Sequence, residues 1–186
     1  MNEHHTDCHG TGYAIWIGPH EESDEYYALS HCITAIAKAN NTPTFVPHLT
    51  LLSGIKDDEP TVRERTKQLA TLLHPFEVEL KELEIGQTYF QTLFIKAKQT
   101  AELMAANQLA QEVCQRHKLY MPHASLAYGD FTALTLTKIK RDFENEFADV
   151  TGTTFTAHHL DLWITKGPIE HWSLLERFPL TPENTQ

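Results

Sequence analysis

Residues 45–51 read Phe45-Val46-Pro47-His48-Leu49-Thr50-Leu51, and residues 120–126 read Tyr120-Met121-Pro122-His123-Ala124-Ser125-Leu126. Both run aromatic, apolar, Pro, His, any residue, hydroxyl residue, Leu. The alternation of apolar positions is that of a strand. Side chains alternate across a strand, so His48 and Thr50 share one face, as do His123 and Ser125, with about 6 to 7 Å between the members of each pair. Pro47 and Pro122 suit a strand start or an edge, where no ladder N–H is needed.

Outward from these two stretches the same order of elements repeats. In the first half, an apolar strand at 12–17 is stopped by Gly18 and Pro19. Ser23 caps a helix with Leu29, Ile33 and Ile36 on one face, ending at Asn40 and Asn41. The first motif lies on a strand from about Thr44 to Ser53. A helix from Pro60 to about Leu73 and an alternating strand from Phe76 to Ile85 follow. In the second half, a strand at Tyr89–Ala97 precedes a helix capped by Thr100 and reaching about His117, and the second motif lies on a strand at Tyr120–Tyr128. Then come a helix carrying Leu136, Ile139, Phe143 and Phe147, a long strand at Thr154–Ile164, and a last strand at Trp172–Phe178 paired with it through the turn at Gly167 and Pro168. Each half therefore reads strand, helix, strand, helix, strand. The expected fold is α+β: two pseudo-symmetric lobes, each an antiparallel sheet with outer helices, flanking a central cleft.

The chain of 186 residues, 41% hydrophobic and 10% aromatic, is long enough for one body with a real core. Residues 1–10 read as a flexible tail, and residues 11–186 as a single bilobal domain with lobes at approximately 11–86 and 87–180. A formal charge of −10 is the wrong sign for a protein that tracks duplex nucleic acid. No run approaches the roughly 18 to 20 apolar residues of a membrane helix, and the opening residues lack the apolar core of a signal peptide. A cytoplasmic monomer acting on a small anionic substrate is expected. Cys8, Cys32 and Cys114 are too few and too widely spaced for a disulfide framework or a Cys-x-x-Cys zinc site.

Two imidazoles facing each other suit displacement at phosphorus, where the attacking water and the departing oxygen lie on opposite sides. One His takes the proton from water and the other gives one to the leaving oxygen, and an ordinary pKa near 6.5 lets both states be populated near neutrality. Thr50 and Ser125 can donate to the non-bridging oxygens. The scheme calls for no metal and no cofactor. A cyclic phosphodiester fits best, because its leaving oxygen stays tethered. A single strand His is more often structural than catalytic; two matched His-x-hydroxyl triplets in matched elements are what carry the functional reading. Which His is the base depends on how the ligand lies.

At these residues the chain resembles the 2H phosphoesterase superfamily, and within it the small cyclic phosphodiesterases of plants and yeast. The likeness runs from about Tyr13 to Leu180. It includes Ile15-Trp16-Ile17-Gly18-Pro19-His20, the segment Gly86 to Phe94, and Glu170-His171-Trp172 as well as both motifs. It implies hydrolysis of nucleoside 2′,3′-cyclic phosphates to 2′-phosphates and of ADP-ribose 1″,2″-cyclic phosphate to the 1″-phosphate, with a role in RNA processing by analogy. It also implies that His48, Thr50, His123 and Ser125 are catalytic and that Trp16, Phe90 and Tyr128 surround the substrate. Tyr128 is five residues from His123, so an ideal strand points it to the opposite face; a bulge or strand end near Ala127 and Gly129 is needed to turn it inward. The cysteines do not reproduce the plant disulfides. Related readings are a 2′-5′ RNA ligase-like enzyme, an RNA-end-processing phosphodiesterase, and a non-catalytic nucleotide-binding module. His4, His5, Cys8 and His9 carry metal-capable groups without flanking structure, Lys166 reads as a solvated turn charge, and one of His158 and His159 must face inward.

Overall fold

The computed structural model describes residues 10–182. The helices begin where the sequence places their caps. Ser23, Asp58, Thr100 and Thr132 each accept a hydrogen bond from a backbone N–H three residues on. They open α1 (Asp24–Asn40), α2 (Glu59–Leu72), α3 (Ala101–Val113) and α4 (Ala133–Glu146). The third helix stops short of His117. Gln115 adopts φ 53° and the Arg116 N–H returns to the Gln111 carbonyl at 2.8 Å, a left-handed helix stop.

Among the described residues eight strands make one antiparallel sheet: β1 (Tyr13–Ile17), β2 (Leu49–Ile55), β3 (Phe76–Thr88), β4 (Gln91–Ala97), β5 (His123–Ala127), β6 (Thr154–Ala157), β7 (His159–Ile164) and β8 (Ser173–Pro179). Their order is β6-β3-β4-β5-β2-β1-β7-β8. The motif strands β5 and β2 meet at the centre, four strands ending on each. The expected α+β fold, with two antiparallel halves and outer helices, is the observed one. Both motif strands begin directly after or one residue beyond their prolines, which have no N–H for the ladder.

Two differences from the sequence reading share one cause. The stretch Thr154–Ile164 is two strands and not one: Ala157 pairs with Phe76, and His159, two residues on, pairs with Pro179. Likewise β3, which begins in the first half, pairs with β4, the opening strand of the second half, while β7 of the second half pairs with β1 and carries β8 outside it. The closing strand of each half thus lies beside the opening strand of the other, so the four-strand halves are not the contiguous segments 11–86 and 87–180. Because β6 and β7 stand near opposite ends of the strand order yet are separated by His158 alone, the sheet must curl until its ends approach. The Leu180 N–H donates to the His158 carbonyl at 2.9 Å across that closure.

Leu49 and Leu51 of β2, and Ala124 and Leu126 of β5, face the core with Ile15 and Ile17. On that side α1 packs on β5 and α3 on β2. Burial on this face leaves the alternate residues of the same strands, the His and hydroxyl positions, on the other. Residues 1–9, which include most of the expected tail with His4, His5, Cys8 and His9, lie outside the described residues; Gly10 bridges to Gly167.

Candidate active site

The two motif strands touch through one pair, Leu49 opposite Ala124. These are the middle residues of the two His-x-hydroxyl triplets, so the antiparallel register sets His48 across from Ser125 and Thr50 across from His123. Directly opposed side chains have Cβ atoms about 4.5 to 5.5 Å apart, and diagonal ones, as the two histidines are, about 7 to 8 Å. Both rings line the same cavity.

Both rings are held by the same contact. His48 Nδ1–H donates to the Val46 carbonyl at 2.8 Å and His123 Nδ1–H to the Met121 carbonyl at 2.9 Å. A carbonyl only accepts, so Nδ1 carries the proton and Nε2 is the atom each imidazole offers to the cleft. Gly10, Thr11, Thr165 and Trp172 complete the rim of a cavity of about 420 Å³ that contains all four motif side chains. Among the described residues no Asp or Glu lines it, and Lys118 is its one Lys or Arg, in a chain whose formal charge is −10. Burial pushes the His48 pKa down to about 4, with the neighbouring His123 charge acting the same way, and burial lowers that of His123 too.

The pseudo-symmetry extends to the strand irregularities. Between Thr50 and Leu52 the pairing with β1 skips Leu51, and between Ser125 and Ala127 the pairing with β4 skips Leu126. Each hydroxyl residue is therefore followed at once by a β-bulge. The second bulge resolves the Tyr128 problem: the extra residue flips the parity, and Tyr128 lines the cavity with its hydroxyl 3.4 Å from His48 Nε2. Opposite the hydroxyls on the neighbouring strands stand Trp16 and Phe94. Trp16 stacks on His48 with centroids 3.6 Å apart, and Phe94 meets His123 edge-on at 5.1 Å.

All seven residues singled out in the sequence line this one cavity. Trp16 is 3% exposed and also stacks on Trp163, and Tyr128 is 4% exposed; their rings chiefly wall in His48. Phe90 and Trp172, stacked 5.5 Å apart and both half-buried, present more surface to a ligand. Ser125 Oγ–H donates to the Phe90 carbonyl at 3.3 Å. Lys166 lies over the Tyr13 ring, 4.5 Å from its centroid, and does not line the cavity. His159 is the inward member of its pair, 3.7 Å from Asp161.

Four residues escape the sequence reading. Phe94 is signalled by the match between Ala14-Ile15-Trp16-Ile17 and Thr92-Leu93-Phe94-Ile95. Gln91 sits at the tip of the β3–β4 hairpin, where Tyr89 and Phe90 form the turn, and its amide donates to His123 Nε2 at 3.3 Å. Trp172 and Lys118 come from loops and carry no periodic signal. Among the described residues no three His, Cys, Asp or Glu side chains gather into a metal-ligating group, and no helix is long and apolar enough to cross a membrane.

Comparison with known proteins gives a consistent result. A family model described as cyclic phosphodiesterase-like protein matches residues 11–180. A cyclic phosphodiesterase of Arabidopsis thaliana is 25% identical over 122 residues, 64% of this chain and 66% of that protein. A 2′,3′-cyclic-nucleotide 3′-phosphodiesterase of Kluyveromyces lactis is 25% identical over 195 residues, 91% of this chain and 89% of that one. Among solved structures, the TT0787 protein of Thermus thermophilus aligns with a TM-score of 0.62 at 17% identity, covering 94% of this chain and 100% of its own. E. coli LigT, crystallised with 3′-AMP, aligns with a TM-score of 0.57 at 12% identity over 93% and 99%; these two likenesses are of fold.

Proposed function

Because the chain belongs to the cyclic phosphodiesterase-like protein family, whose named relatives are hydrolases, we propose that it hydrolyses nucleoside 2′,3′-cyclic phosphates to 2′-phosphates, with His48 and His123 as the acid–base pair. ADP-ribose 1″,2″-cyclic phosphate, opened to the 1″-phosphate, is a second substrate of the same chemistry. The observation that carries the reading is the Leu49–Ala124 seam, which puts two imidazoles diagonally across one cavity whose described lining holds no Asp or Glu.

In the proposed step, one Nε2 takes a proton from water as the water oxygen bonds to phosphorus. The P–O3′ bond breaks on the opposite side, and O3′ takes the proton from the other Nε2–H. Nδ1 of each ring stays on its backbone carbonyl throughout, which holds Nε2 in line. Charge building on the two non-bridging oxygens is met by Thr50 and by Ser125, whose hydroxyl swings from the Phe90 carbonyl to the phosphate. The name of the Kluyveromyces relative, a 3′-phosphodiesterase, supports cleavage at O3′ and so a 2′-phosphate product. The negative phosphate favours the protonated form of the imidazole that serves as the acid, which offsets its lowered pKa, while the lowered pKa of the other keeps it neutral as the base.

The test is turnover of 2′,3′-cyclic AMP by wild type, His48→Ala and His123→Ala, with affinity for adenosine 2′-phosphate measured alongside. Each substitution is expected to cost at least about 10²-fold in kcat while binding persists. Wild-type protein that binds the nucleotide but never turns over the cyclic compound would make the cleft a binding module and overturn the proposal.

A further inference from the structure

The active cavity opens into a second one of about 330 Å³, and the two share Thr50, Ser53, Gln91, Lys118 and His123. Among the described residues neither is lined by an Asp or Glu, and Lys118 is the one Lys or Arg in both. Among the described residues no carboxylate pairs with Lys118. A cation with no carboxylate partner among the described residues, over a cleft whose described lining carries no Asp or Glu in an acidic chain, calls for an anion.

Its position is built from two sides. Lys118 N–H donates to Gln111 Oε1 at 2.6 Å, Gln111 Nε2–H to Asn107 Oδ1 at 2.7 Å, and Asn107 Nδ2–H to the Leu51 carbonyl at 2.7 Å. Leu51 is the bulge residue next to Thr50, so an unbroken relay of amides ties the Lys118 backbone to the phosphate-binding strand. From the other side, Arg116 donates to the Gly54 carbonyl at 2.6 Å, anchoring the same loop. Lys118 Nζ then lies over the bare Cα of Gly54, 3.3 Å from where a Cβ would stand, at a position whose φ of +68° favours glycine. From Thr50 to Gly54 is about 13 Å of strand at 3.3 Å per residue, shortened by the bulge. A sugar fits that interval.

We propose that Lys118, with Ser53 beside it, forms a subsite for a second phosphate, so that the preferred substrates are cyclic phosphodiesters bearing a further phosphate on the far side of the sugar. A 5′-monophosphate, a pyrophosphate and an internucleotide phosphodiester share this chemistry. The inference rests on the cleft binding its cyclic phosphate between the two imidazoles.

Calorimetric affinities for adenosine 2′-phosphate and adenosine 2′,5′-bisphosphate test it without requiring turnover. Wild type is expected to favour the bisphosphate by about tenfold, the size of one charge-assisted contact, and the preference should fade as salt rises from about 0.05 M to 0.5 M. Lys118→Met should bring the ratio to about one, and Lys118→Arg should keep it. A ratio unmoved by Lys118→Met, including through equal losses on both ligands, overturns the subsite. Relative kcat/KM on 2′,3′-cyclic AMP 5′-phosphate, ADP-ribose cyclic phosphate and a dinucleotide with a 2′,3′-cyclic end then identifies which source of the second phosphate is read. Failure of hydrolysis with the affinity ratio intact would count against the catalytic reading alone.

Discussion

Replacing His48 by Asn should flatten the acid side of the stability profile. The His48 ring is 7% exposed and its pKa in the folded protein is about 4, against 6.5 for a free imidazole. Between those values the unfolded chain binds a proton here that the folded one does not, so stability is complete above pH 6.5 and is lost as the pH falls toward 4. At about 1.4 kcal/mol per pH unit the loss amounts to about 3 kcal/mol. Asn is the informative replacement, because its side-chain amide can still donate to the Val46 carbonyl while carrying no titratable group. Urea unfolding of wild type and His48→Asn at pH 7.5 and pH 4.5 gives the difference directly, and carboxylates common to both proteins cancel. With an m-value of about 2 kcal/mol per molar urea, the gap between the two midpoints should move by about 1 M in favour of the variant on acidification. Parallel midpoints at both pH values would refute the burial of a neutral imidazole at His48.

Other expectations follow from the same geometry. Thr50→Val and Ser125→Ala should each lower kcat by about 10²-fold with small changes in KM, since their hydroxyls face charge that grows in the transition state; a pure KM effect would assign them to ground-state binding. Asn107→Leu strands the Leu51 carbonyl at the bulge and should cost about 1 to 3 kcal/mol in chemical denaturation, and an unchanged midpoint would mean the bulge is held by the β1 pairing alone. In a Cys8→Ser background, Ellman's reagent should fail to label native protein, because burial holds the Cys32 and Cys114 thiols up at about 12 and about 11; labelling before unfolding would contradict that.

The paired motifs make the architecture and the four motif side chains in the cleft legible, because strand alternation is local and survives without knowledge of partners. What alternation cannot convey is which strand lies beside which. The stretch around His158 reads as one continuous strand, since no glycine or proline interrupts it; the break comes from pairing with Phe76 on one side and Pro179 on the other, both remote in sequence. The bulges at Leu51 and Leu126 are invisible for the same reason, although the need for one is evident in the parity of Tyr128. Caps at Ser23 and Thr100 are legible because the side chain and its backbone partner lie within one turn. Lys118 stands at the other extreme. It sits in an irregular loop, and its role depends on an amide relay through α3 that only the assembled fold brings together.

The most direct measurement is the fate of 2′,3′-cyclic AMP incubated with purified protein in ¹⁸O-labelled water and excess EDTA, followed by phosphorus NMR. Two imidazoles acting across one phosphoryl group should give a single product, adenosine 2′-phosphate, with one labelled oxygen on phosphorus and a rate indifferent to the chelator. Activity that vanishes with EDTA and returns with added metal, or a mixture of 2′- and 3′-phosphates, would contradict in-line transfer between His48 and His123.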